Sequence, residues 1–388
     1  LKATKENINI SRSEFLPSIS LSGSIDNNRT SNTTSQKGTT LEGSKLETEK
    51  KTISIDQKIF QGFEGYNSLK KSELEVEQAN FKIKKVEQEV LLDAAVAYFD
   101  LMYKSKKLKF NFANVSLFER QVESDSSRLQ KGEITLTDLA QSESSLAGAN
   151  AELISAETDL LTTKADFKRV TRVNAPKKVN ENSKFNIDLP IDLNKALEIS
   201  SKKNPKLLIA KLEYEISKKN LNIEKAKLSP KASINYSKSE VNELSSNVDD
   251  TDEQSVKATI TWPLIKGGKN FSSIKKSRFK QQQNSLILED VENEVKTLTT
   301  NAWSVYQSTE SVLKATKAQV QAAEIANEGI TSEYDSGNTR TTLEVIQSRS
   351  LLLNARIANA KAERDFVVSK LKLLSTVGSL SVGSIKKQ

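Results

Sequence analysis

The chain states one plan twice, and this repetition constrains its fold more than any other feature. The stretch Ile8-Asn9-Ile10 through Phe15-Leu16-Pro17-Ser18-Ile19-Ser20-Leu21 is matched by Leu221-Asn222-Ile223 through Leu228-Ser229-Pro230-Lys231-Ala232-Ser233-Ile234, an offset of 213 (230 − 17). Farther on, Ile55 to Gly62 is matched by Ile260 to Gly267, an offset of 205 (267 − 62). That offset still holds at Val90/Val295, Ala97/Ala302, Tyr98/Trp303 and Gly132/Gly337. The change of offset falls between paired strands, where loop length is free to vary. Each copy must therefore build the same supersecondary unit.

The unit reads as helix, strand, loop, strand, very long helix, turn, long helix. The first repeat spans 1–173, with a helix remnant, strands near 18–29 and 50–60, and hairpin helices near 63–128 and 137–172. A Pro/Lys/Asn-rich linker covers 174–190. The second repeat spans 191–378, with helices near 192–201 and 205–228, strands near 231–238 and 254–263, and hairpin helices near 268–334 and 341–376. A tail, 379–388, follows. Leu1 stands inside a helical pattern and is not Met, as expected of a chain whose leader has been removed.

Between Phe63 and Arg128 the one helix-weakening residue is Gly65; between Gly268 and Tyr334 it is Gly329. Each stretch predicts a helix of about 65 residues, near 100 Å long at about 1.5 Å per residue. The returning helices carry heptads. Leu139, Leu146, Leu153, Leu160 and Phe167 form one seam; Ser142, Ala149, Ala156, Thr163 and Val170 form a second. Ile346, Leu353, Ala360, Val367 and Leu374 repeat the pattern. A seven-residue period implies left-handed supercoiling. Two readings stand: a hollow helical wall wet on both surfaces, or an intramolecular antiparallel coiled coil. Gly132 and Gly337 fit the left-handed position past a helix end, which makes each hairpin tip a tight turn.

Four segments alternate at period two: Ile19/Leu21/Gly23/Ile25, Ile53/Ile55, Ala232/Ile234/Tyr236 and Val256/Ala258/Ile260/Trp262. One apolar and one polar face per strand suits a membrane barrel, and equally a sheet facing an ordinary core. Tyr236 and Trp262 stand toward strand ends, as membrane-interface aromatics do. The stretches Asn27–Lys50 and Lys238–Gln254 read as polar loops. Four strands cannot close a spanning barrel, and an open lipid-facing edge is forbidden, so the membrane reading requires oligomerisation.

Composition excludes more than it proposes. With no Cys and no His, Cys/His zinc sites, thiol nucleophiles and Ser-His-Asp triads are ruled out. No enzyme activity and no cofactor are expected. The formal charge of +8 would suit nucleic acid, but the lysines are interleaved with Glu along helix faces and read as solvated surface. No apolar run reaches the roughly 18–20 residues of a spanning helix.

The duplicated plan resembles the TolC family of outer-membrane channel-tunnels. The junctions Phe60-Gln61-Gly62 and Ile265-Lys266-Gly267-Gly268 are similar to its apolar–x–Gly–Gly junctions, and Tyr334 through Gly337-Asn338-Thr339-Arg340-Thr341-Thr342-Leu343-Glu344-Val345-Ile346-Gln347 is similar to its tip sequence. The resemblance implies a mainly α protein with membrane β strands. Three protomers would share one 12-stranded β-barrel in the outer membrane, continued by an α-helical barrel in the periplasm. It implies a passive exit duct for tripartite efflux pumps or type I protein secretion. The partners would be a periplasmic adaptor and an inner-membrane pump docking at the tips, around Gly132, Glu133, Gly337 and Asn338. It also implies a gate of polar links: Arg340 and Tyr334 as linking residues, Thr137 and Asp138 as receiving ones. Glu344 matches the first of two acidic entrance positions and Gln347 replaces the second. A ring of three carboxylates per trimer is then expected, favouring cations, divalent ions included. A second class, a periplasmic coiled-coil adaptor, fits less well, because adaptors carry one hairpin and not two tandem hairpins separated by strand pairs.

Overall fold

A computed structural model describes residues 1–34, 36–38, 40–41, 43, 45–176, 185–245, 248–336 and 340–387. In chain order the elements are α1 (Lys2–Ser13), β1 (Ser18–Arg29), β2 (Thr33–Thr34), β3 (Thr40–Leu41), β4 (Lys45–Phe60), α2 (Glu64–Gln130) and α3 (Leu136–Thr171). Then come β5 (Phe185–Ile187), α4 (Leu193–Lys203), α5 (Pro205–Ala226), β6 (Lys231–Ser245), β7 (Val248–Thr261), α6 (Lys269–Asp335), α7 (Thr342–Thr376) and β8 (Ile385–Lys387). The long helices α2 and α6 have 67 residues each, so the absence of interior breakers is realised as uninterrupted helix. They pass through both compact units into which the chain divides, 1–82 with 208–290 and 83–207 with 291–388.

The first unit holds a four-stranded antiparallel sheet in the order β1-β4-β6-β7. Its central pairing, β4 with β6, joins the two repeats. Register shows how the alternation is used. Ile19 lies opposite Ile55, Ile55 opposite Tyr236, and Tyr236 opposite Val256, so these four share one face. The opposite face carries Ser18, Ser20, Ser22 and Ser24 against Asp56, Ser54, Thr52 and Lys50. The apolar face is uncovered: Leu21 is 77% exposed, Val256 74% and Ile260 79%. A sheet facing an ordinary core would bury these side chains.

Three strands run beyond the alternating segments. β4 begins at Lys45, β6 continues to Ser245 and β7 begins at Val248, within stretches that read as loops in the sequence. Antiparallel backbone pairing continues there because it does not depend on side-chain polarity. Both strand-to-helix junctions use two successive left-handed residues, Gly62-Phe63 (φ 63°, 67°) and Gly267-Gly268 (φ 54°, 77°). Gly62 is also sterically required, because a Cβ there would lie 2.3 Å from the Ser229 Cβ and 2.8 Å from the Ala226 carbonyl oxygen.

The second unit holds the cores. Phe99 and Met102 of α2, Ala196 of α4, and Val368, Leu371, Leu373 and Leu374 of α7 bury one another. A smaller cluster joins Val115, Phe118, Ala149 and Ile346. In α3 the enclosed residues are Ser142, Ala149 and Ala156 of the Ser/Ala stripe and Leu160 of the other seam; the small side chains let a neighbouring backbone approach closely. Ion pairs cross between helices at Lys104–Asp159 (2.7 Å), Lys106–Glu363 (2.7 Å) and Arg364–Asp100 (2.6 Å). The short pair β5–β8 ties the linker to the tail, a pairing with no sequence signal. No described helix is long and apolar enough to cross a membrane.

Candidate gate at the hairpin tips

Each tip is built from a helix stop and a helix start. α2 closes with Gly132 in the left-handed region (φ 76°), and the Glu133 N–H returns to the Arg128 carbonyl at 2.9 Å. α3 then starts at Thr135, whose hydroxyl accepts from the Asp138 N–H while the Asp138 carboxylate accepts from the Thr135 N–H at 2.9 Å. α7 starts the same way with Thr341 and Glu344, the Thr341 N–H reaching the Glu344 carboxylate at 2.8 Å. Such reciprocal caps satisfy otherwise orphaned helix-start donors. They hold both carboxylates below their ordinary range: Asp138 through the Thr135 hydroxyl and N–H, Glu344 through the Thr341 N–H and then Arg340.

Arg340 bridges its own hairpin. Its Nε donates to Glu333 in the last turns of α6 at 2.6 Å, and its Nη1 donates to Glu344 at 2.9 Å. Both carboxylates raise the guanidinium's affinity for its proton. Thr137 is exposed at the start of α3. Gln347 and Glu344 line a groove of about 520 Å³ between α6 and α7, floored by Ala322, Ala323 and Ala326. Glu133 is exposed and pairs with Arg128 at 3.2 Å. Gly337 and Asn338 lie outside the described residues.

Tyr334 has a partner the sequence did not suggest. Its hydroxyl donates to Asp125 Oδ1 at 2.8 Å and shares a bond with the Thr342 hydroxyl at 3.0 Å. Asp125 is fully buried. It also accepts from Gln121 Nε2 at 2.9 Å and from the Ser142 hydroxyl at 2.5 Å. One carboxylate thus gathers α2, α3 and α6 directly, and α7 through Tyr334 and Thr342. Burial raises the Tyr334 pKa; its bond to Thr342 acts the other way, and its bond to Asp125 adds to the rise. The Arg128 guanidinium lies 4.4 Å from the Tyr334 ring centroid, so the phenol is held on its face and at its hydroxyl. A signal for Asp125 existed in the repeat: at the offset of 205 its counterpart is Ile330, so an acid stands where the twin helix has an apolar residue.

On the sheet, Tyr236 shares the apolar face with Ile55 and Val256. Trp262 stands just past β7, 61% exposed, its indole N–H donating to the Leu228 carbonyl at 3.1 Å.

A sheet with one exposed apolar face, in a chain of two long helical hairpins, fits the class of outer-membrane channels. A profile of outer membrane efflux proteins matches residues 1–171 and 196–379, and the chain belongs to that family: it is an efflux channel of the outer membrane. It is 26% identical over 384 residues to the outer membrane efflux protein BepC of Brucella suis, covering 99% of this chain and 81% of that protein. It is 24% identical over 390 residues to the outer membrane protein TolC of Vibrio cholerae, covering 98% and 86%. Its fold matches the Campylobacter jejuni CmeC outer membrane channel with a TM-score of 0.84 at 13% identity, over 97% of this chain and 81% of that one. The family is one of outer membrane efflux proteins, and the matched CmeC structure is an outer membrane channel.

Proposed function

We propose that the channel works as a homotrimer whose three sheets close one 12-stranded barrel, and that it is a passive duct opened at its helical tips by an adaptor and an inner-membrane pump. The observation that carries the trimer is the sheet itself. β1 and β7 are its free edges among the described residues, its apolar face is exposed, and four strands cannot close alone. Three times four strands leaves no edge. The chain exposes 24372 Å², where a self-sufficient monomer of 43.0 kDa would expose about 15,000 Å², so much of this surface awaits lipid or neighbours.

In this reading the closed tip is held at two levels. Within a protomer, the Asp125 node locks the first hairpin to the second through Tyr334. Between protomers, Arg340 exchanges one of its own acids for Thr137 and Asp138 of the neighbour. Glu344 forms the cation ring, with Gln347 leaving it at three carboxylates. Gly132, Glu133, Gly337 and Asn338 present the tips to the adaptor, and Tyr236 and Trp262 mark the membrane interface. The cargo is either small molecules of an efflux pump or proteins of a type I secretion system.

The chain has no native Cys, which makes the trimer directly testable. Single cysteines on β1 and β7 of one chain, joined by a bifunctional thiol reagent, should give closed three-chain species on denaturing gels. Only uncrosslinked monomer from every pair tried would overturn the proposal.

A further inference from the structure

We propose that the junction following β7, residues 262–287, is an anionic-phospholipid belt that the second repeat has and the first lacks. The inference rests on the outer-membrane reading of the sheet and adds a lipid preference to it.

The duplication supplies its own control. At the offset of 205, residues 57–82 correspond to 262–287. The first-repeat stretch carries four basic residues and four acidic ones, a net charge of zero (4 − 4). The second carries Lys266, Lys269, Lys275, Lys276, Arg278 and Lys280 and no acid, a net charge of +6 (6 − 0). Three acids have become cations at matched positions: Glu64 to Lys269, Glu73 to Arg278 and Glu75 to Lys280. In the first repeat three of the four acids are paired: Glu73 with Lys70 at 2.9 Å, Glu75 with Lys71 at 3.6 Å, and Glu64 with Lys231 of the second repeat at 2.5 Å. In the second, all six cations are exposed, and none has an acidic partner among the described residues.

The same segment exposes large apolar side chains beside its cations. Trp262, Leu264, Ile265, Phe271 and Phe279 are 61%, 66%, 86%, 66% and 56% exposed. Trp262 continues the apolar face of β7, two residues on from Ile260. Exposed apolar side chains beside a cluster of cations are the chemistry of a bilayer surface, where aromatics sit at headgroup level and Lys or Arg meets phosphate. A neighbouring protomer is a poorer partner. Barrel closure would bring β7 to the neighbour's β1, and the segment before β1 carries Lys2, Lys5 and Arg12 against Glu6 and Glu14, a surplus of positive charge (3 − 2).

The chain has two tryptophans, so Trp303→Phe leaves Trp262 as the sole fluorophore. The assembled protein would be reconstituted in phosphatidylcholine vesicles containing either brominated phosphatidylglycerol or brominated phosphatidylcholine, and quenching of Trp262 compared. The belt predicts an association constant for the anionic lipid at least about fivefold above that for the zwitterionic one. Added salt should erode the preference. The triple variant K269E/R278E/K280E, which installs the first repeat's residues, should bring the ratio to about one. Equal quenching by the two lipids in the unreversed protein would overturn the proposal while leaving the membrane reading intact. Quenching by neither lipid would overturn both. An unchanged lipid ratio in the triple variant, with loosened subunit association, would overturn the belt in favour of a subunit contact.

Discussion

Tyr334→Phe removes one oxygen atom from the centre of the proposed lock and little else. The ring keeps its place against Arg128, while the bonds to Asp125 and Thr342 vanish. A hydrogen bond to a charged, buried acceptor contributes about 1.5–3 kcal/mol, so each link biases its hairpins together by a factor of about 10–150. Three links released in one concerted opening would lift the closed state by about 4.5–9 kcal/mol. The assay is single-channel recording in planar bilayers at fixed salt and voltage, on variant protein confirmed as trimer. Mean conductance should rise, and long-lived low-conductance intervals should shorten. Thr342→Val, which breaks only the outer bond of the phenol, should have a smaller effect in the same direction. A conductance distribution for Tyr334→Phe identical to that of the unmodified channel would refute the role given to the node.

Two left-handed glycines should respond very differently to a methyl group. Gly132→Ala meets open space and bears only the backbone strain, about 1–2 kcal/mol, whereas Gly62→Ala must also displace Ser229 and the Ala226 carbonyl and should lose several-fold more stability; thermal melting of the trimer separates the two. Because Glu344 and Asp138 are held below the ordinary carboxylate range in the folded tip, the caps contribute fully at neutral pH and are lost only as pH falls through their lowered values. Conductance should therefore be flat from pH 6 to pH 8 and rise in acid, at about pH 4 and below, and Glu344→Gln should diminish that acid response in the same recordings.

The long helices were legible because few residue types can end a helix, and those types are missing from 66 to 128 and from 269 to 328. The strand faces were legible for a similar reason, since alternation at period two has one geometric meaning. Strand ends were not. Residues such as Lys45, Glu47 and Glu49 continue a ladder through backbone bonds alone, and nothing in their polarity announces it. At the tips, spacing told part of the story. Thr135 with Asp138 and Thr341 with Glu344 have capping-box spacing, yet family likeness directs attention to these acids as gate residues, and the cap is what occupies them within the protomer. Asp125 was hidden by the ordinary expectation that an acid in a polar helix faces water. Its burial depends on α3 across the hairpin tip and on α6 and α7 from the distant second repeat, which pairwise spacing does not encode. The comparison with Ile330 across the repeat would have singled it out.

The central claim is that this chain conducts ions only as a closed trimer. Purified protein should have a protein mass of about three times 43.0 kDa by light scattering corrected for detergent, and should form cation-selective channels in planar bilayers, as a ring of carboxylates at Glu344 requires. A monodisperse monomer that leaves bilayers non-conducting would contradict the account.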